Sequence, residues 1–197
     1  MLEVELKSVV DDLARRRAAV EAAGAVLVFS GRLEDRRYDT SDRTLTARDH
    51  VLRVRVYRDA HAVRAELDFK GPMRREDGYK MREEIDAHVA DPDALIAILG
   101  RLGYEVTIAI DREIFQYELD GAMIRFERYP RMDDLVEVEG HPDRIERAIK
   151  ALGLPRDGFL TDRLPDFVRC FEERTGTRAA VSHAALAGNE RYDVSDA

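Results

Sequence analysis

The N-terminal stretch EVELK sets Glu3, Glu5 and Lys7 at every second position, with Val4 and Leu6 between them. In an extended strand this spacing puts the carboxylates and the ammonium in one row and the apolar pair behind them. A single short row of this kind also fits an antiparallel sheet with one wet face. The pattern recurs, however, with Glu84 and Asp86 in REEIDAHV and with Glu137 and Glu139 in LVEVEG. Basic residues alternate in the same way, Arg53 and Arg55 in VLRVRVY, and RAELDFK carries Arg64, Glu66, Asp68 and Lys70 on one parity. Acidic rows suit hard cations such as Mg²⁺ or Mn²⁺, which are held by one or two carboxylates together with phosphates and water. Rows containing Arg53, Arg55, Lys70 and Arg112 suit phosphates, through charge-assisted bonds and the planar guanidinium fork. If the strands close into a barrel, the rows meet across an interior that must be wet, internally paired or filled by a charged ligand. Both kinds of row in one cavity describe a site for a polyphosphate bound with its metal.

Three segments share a plan that would position these rows: paired acids on a strand, a helix, then Gly. They are EVELKSVVDDLARRRAAVEAAG, REEIDAHVADPDALIAILGRLGY and LVEVEGHPDRIERAIKALGL. Pro92 and Pro142 fall near first helical positions after Asp91 and His141, Gly103 and Gly153 close the ends, and Ser8 is the expected N-cap of a first helix ending at Gly24. REIFQYEL and AMIRFERY read as a hairpin through Asp120-Gly121, and YDTSDRT as a turn-rich connection. The count is about eight strands, mostly antiparallel, and three or four helices, an α+β chain. DRLPDFVRCFEERTG predicts a short helix with Phe167, Val168 and Phe171 as a packing stripe. Residues 1–174 form the expected domain, and 175–197, where periodicity fades, a weakly ordered or loosely docked tail.

At 197 residues the chain is long enough for one core without disulfides. The lone cysteine, Cys170, and the lack of a long apolar run fit a cytoplasmic protein with no membrane association. A net charge of -8 argues against a nucleic-acid coat, which needs a basic footprint. Only Lys7, Lys70, Lys80 and Lys150 are lysine among mostly arginine cations. His61, His88 and His141 lack metal-ligand spacing. The chain could act as a monomer or a homodimer.

EVELK, DRRYDT, LRVR, LDFKGP, the R-x-E-x-D of Arg82, Glu84 and Asp86, the strand around Arg112, and LVEVEG, in that order over roughly residues 1–170, resemble the CYTH proteins, or triphosphate tunnel metalloenzymes. LDFKGP and its neighbours look most like the small prokaryotic branch of class IV adenylyl cyclases. The resemblance implies an eight-stranded, mostly antiparallel β-barrel tunnel with helices outside. It implies Mg²⁺ or Mn²⁺ at Glu3, Glu5, Glu127, Glu137 and Glu139, a triphosphate at Arg53, Arg55, Lys70, Arg82 and Arg112, and catalysis by Lys7, Glu5 and Glu137. ATP, thiamine triphosphate and tripolyphosphate are the implied ligands. The activity is then triphosphate hydrolysis or cyclisation of ATP to cyclic AMP; the alternative is a non-catalytic module for phosphate-rich ligands. The chain departs from the family at Ile110, where a lysine is usual, at Glu127 for an aspartate, and at Arg37 for a tyrosine. By parity Ile110 faces the way Arg112 does, so a lysine restored there is expected to tighten phosphate binding. Several cations in one cavity would repel, so truncating Arg55 or Lys70 is expected to leave ligand-free stability unchanged or raised. Pairing with Glu66, Asp68 or Glu84 would reverse that sign.

Overall fold

Alternating residues of the kind seen in EVELK form a long antiparallel sheet in the computed structural model, which describes residues 2–189. The strands are β1 (Leu2–Val9), β2 (Val26–Thr40), β3 (Val51–Arg58), β4 (Val63–Lys70), β5 (Arg74–Glu76), β6 (Tyr79–Val89), β7 (Tyr104–Leu119), β8 (Ala122–Arg128) and β9 (Leu135–Glu139). Their order is β1-β9-β8-β7-β2-β3-β4-β6, and β6 pairs back onto β1, so eight strands close a barrel; β5 is a short addition on β6. Closure leaves each strand with one inward and one outward row.

The outward rows are apolar where helices cover them. The helices α1 (Leu13–Ala22) and α3 (Pro142–Leu152) bury Val20, Ile145 and Leu152 against Leu6, Ile124, Phe126, Val136 and Val138. The helix α2 (Pro92–Arg101) packs Leu99 on Tyr38, Val54, Val56 and Ala65. Pro92 stands in its first turn, and Asp91 Oδ1 accepts from Ala94 N at 3.0 Å, the expected start signal. Asp120 and Gly121 take the left-handed conformation (φ 50° and 76°) that a two-residue hairpin between β7 and β8 requires.

Three sequence expectations change. Ser8 does not cap α1: it is buried within β1, and Asp12 caps instead, its Oδ1 accepting from Arg15 N at 3.0 Å. The extended chain persists past Ser8 because strand pairing to β9 runs on to Val9. YDT is not loop but the end of β2; the turn follows, tied by Asp39, which accepts from Leu45 N and Thr46 N at 2.9 Å. Helices number five among the described residues, with α4 (Leu164–Thr175) and the single-turn α5 (His183–Leu186) following the barrel. In α4, Phe167 and Val168 are buried and Phe171 packs beside them.

Where β7 runs past the end of β8, α4 covers the inward residues Ile108 and Ile110 with Leu164, Phe167 and Val168. The segment after α4 also docks there: Val181 O accepts from Asp111 N at 2.8 Å, and Ala180 exchanges backbone bonds with Arg131. Of the expected tail, residues 190–197 lie outside the described residues. No described helix is long and apolar enough to cross a membrane.

Candidate active site

Register decides which rows meet inside. Glu3 lies opposite Arg82 and Glu5 opposite Lys80 across β1 and β6, while Lys7 faces Glu137 across β1 and β9. Arg53 is opposite Arg37 and Asp68, and Arg55 opposite Asp35 and Glu66. The inward side chains are largely removed from solvent: Glu3, Glu5, Arg53, Arg55, Lys70, Arg82, Arg112, Glu127 and Glu137 are all buried. They surround a cavity of about 110 Å³ lined by Glu5, Lys7, Arg53, Arg55, Lys70, Arg82, Arg112 and Glu137, with Tyr38, Leu52, Leu164 and Pro165 also on its wall.

The buried charges are paired, which the cost of dehydrating an isolated ion demands. Lys7 Nζ lies 2.9 Å from Glu137 and 3.1 Å from Glu127. Arg125 Nη1 donates to Glu137 at 2.8 Å, and Tyr129 donates to Glu127 at 2.7 Å. Arg53 reaches Asp35, Asp68 and Glu84 at 3.2–3.5 Å. Arg55 reaches Asp68 at 3.2 Å, and Arg112 lies 3.4 Å from Glu127. Lys80 donates to Glu5. Cations and carboxylates therefore interleave, and the expected crowd of like charges around Arg55 and Lys70 is replaced by ion pairs.

Three carboxylates form a separate group. Oxygens of Glu3, Glu84 and Glu139 lie within 4.8 Å of one another, the one such cluster among the described residues, and none of the three lines the cavity. Lys70 stands at the boundary: it lines the cavity, and its Nζ is 2.5 Å from both Glu3 oxygens and 3.3 Å from Glu84. Burial and the charges of Glu5, Glu84 and Glu137 outweigh Lys70 and push the Glu3 carboxyl up to about 7. Burial and the Glu3 charge likewise push Glu139 up to about 7. Burial and Glu137 act to raise Glu5 as well, yet Lys80, Lys70 and Lys7 hold it at about 2. Lys7 is held above the ordinary lysine value, because Glu127 and Glu137 overcome the burial that would lower it.

Of the five acids implied as metal ligands, Glu3 and Glu139 are thus brought together, with Glu84 as the third member. Glu5, Glu127 and Glu137 are engaged by lysines and arginines. Arg82 lines the cavity, but its guanidinium donates to the main-chain oxygens of Gly71 at 2.6 Å and Asp49 at 2.5 Å. Arg163 also reaches Asp49, at 2.9 Å, so this contact ties the rim loops to the start of α4. Arg37, which the sequence did not position, lines the cavity. Asp35, Lys80 and Arg125 are not among the site residues expected from the sequence, although each sits two residues from a singled-out position and alternation alone could have found it.

Ile110 has the expected parity, opposite Asp35, but not the expected surroundings. It is 1% exposed among Ile108, Leu135, Leu164, Phe167, Val168 and Val181. A lysine here would bury its ammonium in an apolar cluster. We therefore expect Ile110→Lys to cost about 3 kcal/mol or more of stability without tightening tripolyphosphate binding. A melting curve beside a calorimetric titration checks this, and tighter binding at an unchanged melting temperature would contradict it.

A family model, CYTH domain, matches residues 1–141. Among curated proteins none matches the chain in sequence. Solved structures with this fold include PH1819 protein from Pyrococcus horikoshii OT3, 23% identical, covering 82% of this chain and 94% of its own, with a TM-score of 0.68. Two others are described as putative adenylate or adenylyl cyclases. The one from Vibrio parahaemolyticus is 19% identical, covers 86% of this chain and 98% of its own, and has a TM-score of 0.73. The one from Hippeastrum, described as having a dominant triphosphatase activity, is 16% identical, covers 92% and 99%, and has a TM-score of 0.60. At these identities the likeness speaks to the fold alone, but the sequence match to the family model spans most of the chain and includes the strands that carry the inward charges. The chain belongs to the CYTH domain family.

Proposed function

We propose that the chain is a divalent-metal-dependent triphosphatase that binds a triphosphate along the charged interior and transfers its terminal phosphoryl group to water. The observation that supports this most is a set of donors. The Nε atoms of Arg53, Arg55 and Arg112 are buried and make no well-formed hydrogen bond to the protein, Arg112 Nε and Arg55 Nε standing 3.4 and 3.6 Å from carboxylates of Glu127 and Asp35, and all three arginines line one cavity. A buried donor left without an acceptor costs about 1–3 kcal/mol, and phosphate oxygens are the acceptors that arginine forks fit. The carboxylates of Glu3, Glu84 and Glu139 form an all-oxygen donor set that suits Mg²⁺ or Mn²⁺. Such an ion, when bound, neutralises phosphate charge and activates water. Lys7 remains an ammonium in this setting and, with Arg53, Arg55 and Arg112, stabilises charge on the equatorial oxygens of the transferring group. Glu5 and Glu137 remain ionised and hold Lys80, Lys7 and Arg125 in position.

A second reading has one observation in its favour. Leu164 and Pro165, at the start of α4, add an apolar edge to the same cavity, against which a nucleoside could rest. ATP held there could cyclise, its 3′-hydroxyl attacking the α-phosphorus with loss of pyrophosphate. The descriptions of the Hippeastrum and Vibrio proteins correspond to the two readings. Purified protein should be incubated with tripolyphosphate, thiamine triphosphate and ATP, with Mg²⁺ or Mn²⁺, and the products resolved. Release of inorganic phosphate is expected. Cyclic AMP with pyrophosphate would transfer the assignment to a cyclase, and binding without turnover would leave a phosphate-binding module.

A further inference from the structure

The acidic cluster already holds a cation of the chain's own, Lys70. Its ammonium lies 2.5 Å from both oxygens of Glu3 and 3.3 Å from Glu84, two of the three cluster members. A divalent ion binds carboxylate oxygens at about 2.0–2.6 Å, so it and the ammonium cannot share Glu3: their volumes overlap and their charges repel. Lys70 ends β4 and has a flexible four-carbon stem. It lines the cavity while Glu3, Glu84 and Glu139 do not, so the cavity is the space into which it can withdraw. Arg53 and Arg55 stand on that wall. Without an anion, the move gives up direct contact with two carboxylates for a wall on which Arg53, Arg55, Lys7 and Arg112 outnumber Glu5 and Glu137, whose charges Lys7, Lys80 and Arg125 already engage. With phosphate oxygens in the cavity, the same move gains acceptors.

We infer that Lys70 is an exchangeable internal cation, released from Glu3 and Glu84 to a bound triphosphate, and that metal and triphosphate therefore bind with positive coupling. The inference rests on the reading of the tunnel as a metal–triphosphate site. Coupling of this kind is reciprocal: triphosphate tightens metal binding by the factor by which metal tightens triphosphate binding.

The test is Mn²⁺ binding followed through the electron paramagnetic resonance of the free ion, with wild type and Lys70→Met, each with and without tripolyphosphate. Binding is corrected for the Mn²⁺–tripolyphosphate complex formed in solution. Lys70→Met is expected to bind Mn²⁺ alone about tenfold or more tightly than wild type. Tripolyphosphate should tighten Mn²⁺ binding in both proteins, because its oxygens attract the ion, but the gain in wild type should exceed that in the variant by a similar factor. Equal affinity for Mn²⁺ alone in the two proteins would overturn the inference. Failure of both proteins to bind either Mn²⁺ or tripolyphosphate would instead overturn the proposed function. If Lys70→Met does not fold, wild type decides the matter. The chain has four lysines, so the ¹³Cε signals of labelled lysine separate, and that of Lys70 is identified by its loss in Lys70→Arg. Mg²⁺ alone, at concentrations saturating with tripolyphosphate present, should leave the Lys70 signal in place, and Mg²⁺ with tripolyphosphate should shift it. A full shift with Mg²⁺ alone refutes the exchange.

Discussion

Glu139→Gln is expected to lower metal-dependent turnover by about a hundredfold or more at modest Mg²⁺ or Mn²⁺, while the metal-free protein stays as stable as wild type or becomes more stable. Both effects have one cause. Glu139 shares the acidic cluster with Glu3 and Glu84, and burial with the Glu3 charge pushes its carboxyl up to about 7. Glutamine keeps the shape, removes the repelling charge and removes one carboxylate of the proposed cation site. The sign of the pH dependence follows. Glu3 and Glu139 bind protons more tightly in the folded chain, near 7, than at their ordinary value of 4.5, and Glu84 is shifted the same way. Their contribution to metal-free stability is therefore fully present below about 4.5 and is lost as pH rises through about 7. Glu5 and Asp35, both held near 2, lose their contributions only as pH falls below the ordinary carboxylate range, so the two windows separate. Melting temperatures of metal-free wild type should fall between pH 5 and pH 8, less steeply in Glu139→Gln, and saturating Mg²⁺ should oppose the fall. Wild-type turnover in the variant would remove Glu139 from the metal site.

Arg55→Ala is expected to lower ligand-free stability by about 3 kcal/mol, a fall of roughly 6–12 °C in melting temperature for a chain of this size. It should also weaken tripolyphosphate binding about tenfold or more. The premise is Asp68, which is 1% exposed and has the Arg55 guanidinium at 3.2 Å, and Asp35, equally buried at 3.6 Å. Arg53 remains beside both aspartates, and Arg112 beside Asp35, so the loss sits at the lower end for a broken buried pair. Differential scanning calorimetry and titration of tripolyphosphate measure the two effects. A higher melting temperature would mean that repulsion among the cations outweighs their pairing, as the sequence alone suggested.

Between the two predictions lies the boundary of what a one-dimensional pattern holds. Alternation is local, because successive side chains of a strand point to opposite faces, so EVELK, LRVR, LDFK and LVEVE determine which residues share a row whatever surrounds them. Family motifs and the start signal at Asp91-Pro92 are equally local, and the barrel, the inward charges and the hairpin at Asp120-Gly121 were legible from them. Which row faces which is not local. Lys70 meets Glu3 across 67 positions of sequence only because β6 pairs with both β1 and β4. Parity for Ile110 followed from the sequence, but its apolar cover did not, since that comes from α4 and Val181 docking where β8 has ended. Arg82 could be given to phosphate on motif alone, and only the approach of Gly71 and Asp49 engages it with main-chain oxygens. The sequence by itself determined the kinds of charge that line the interior. Their partners were decided by tertiary structure, because register and closure bring together strands whose own patterns carry no information about one another.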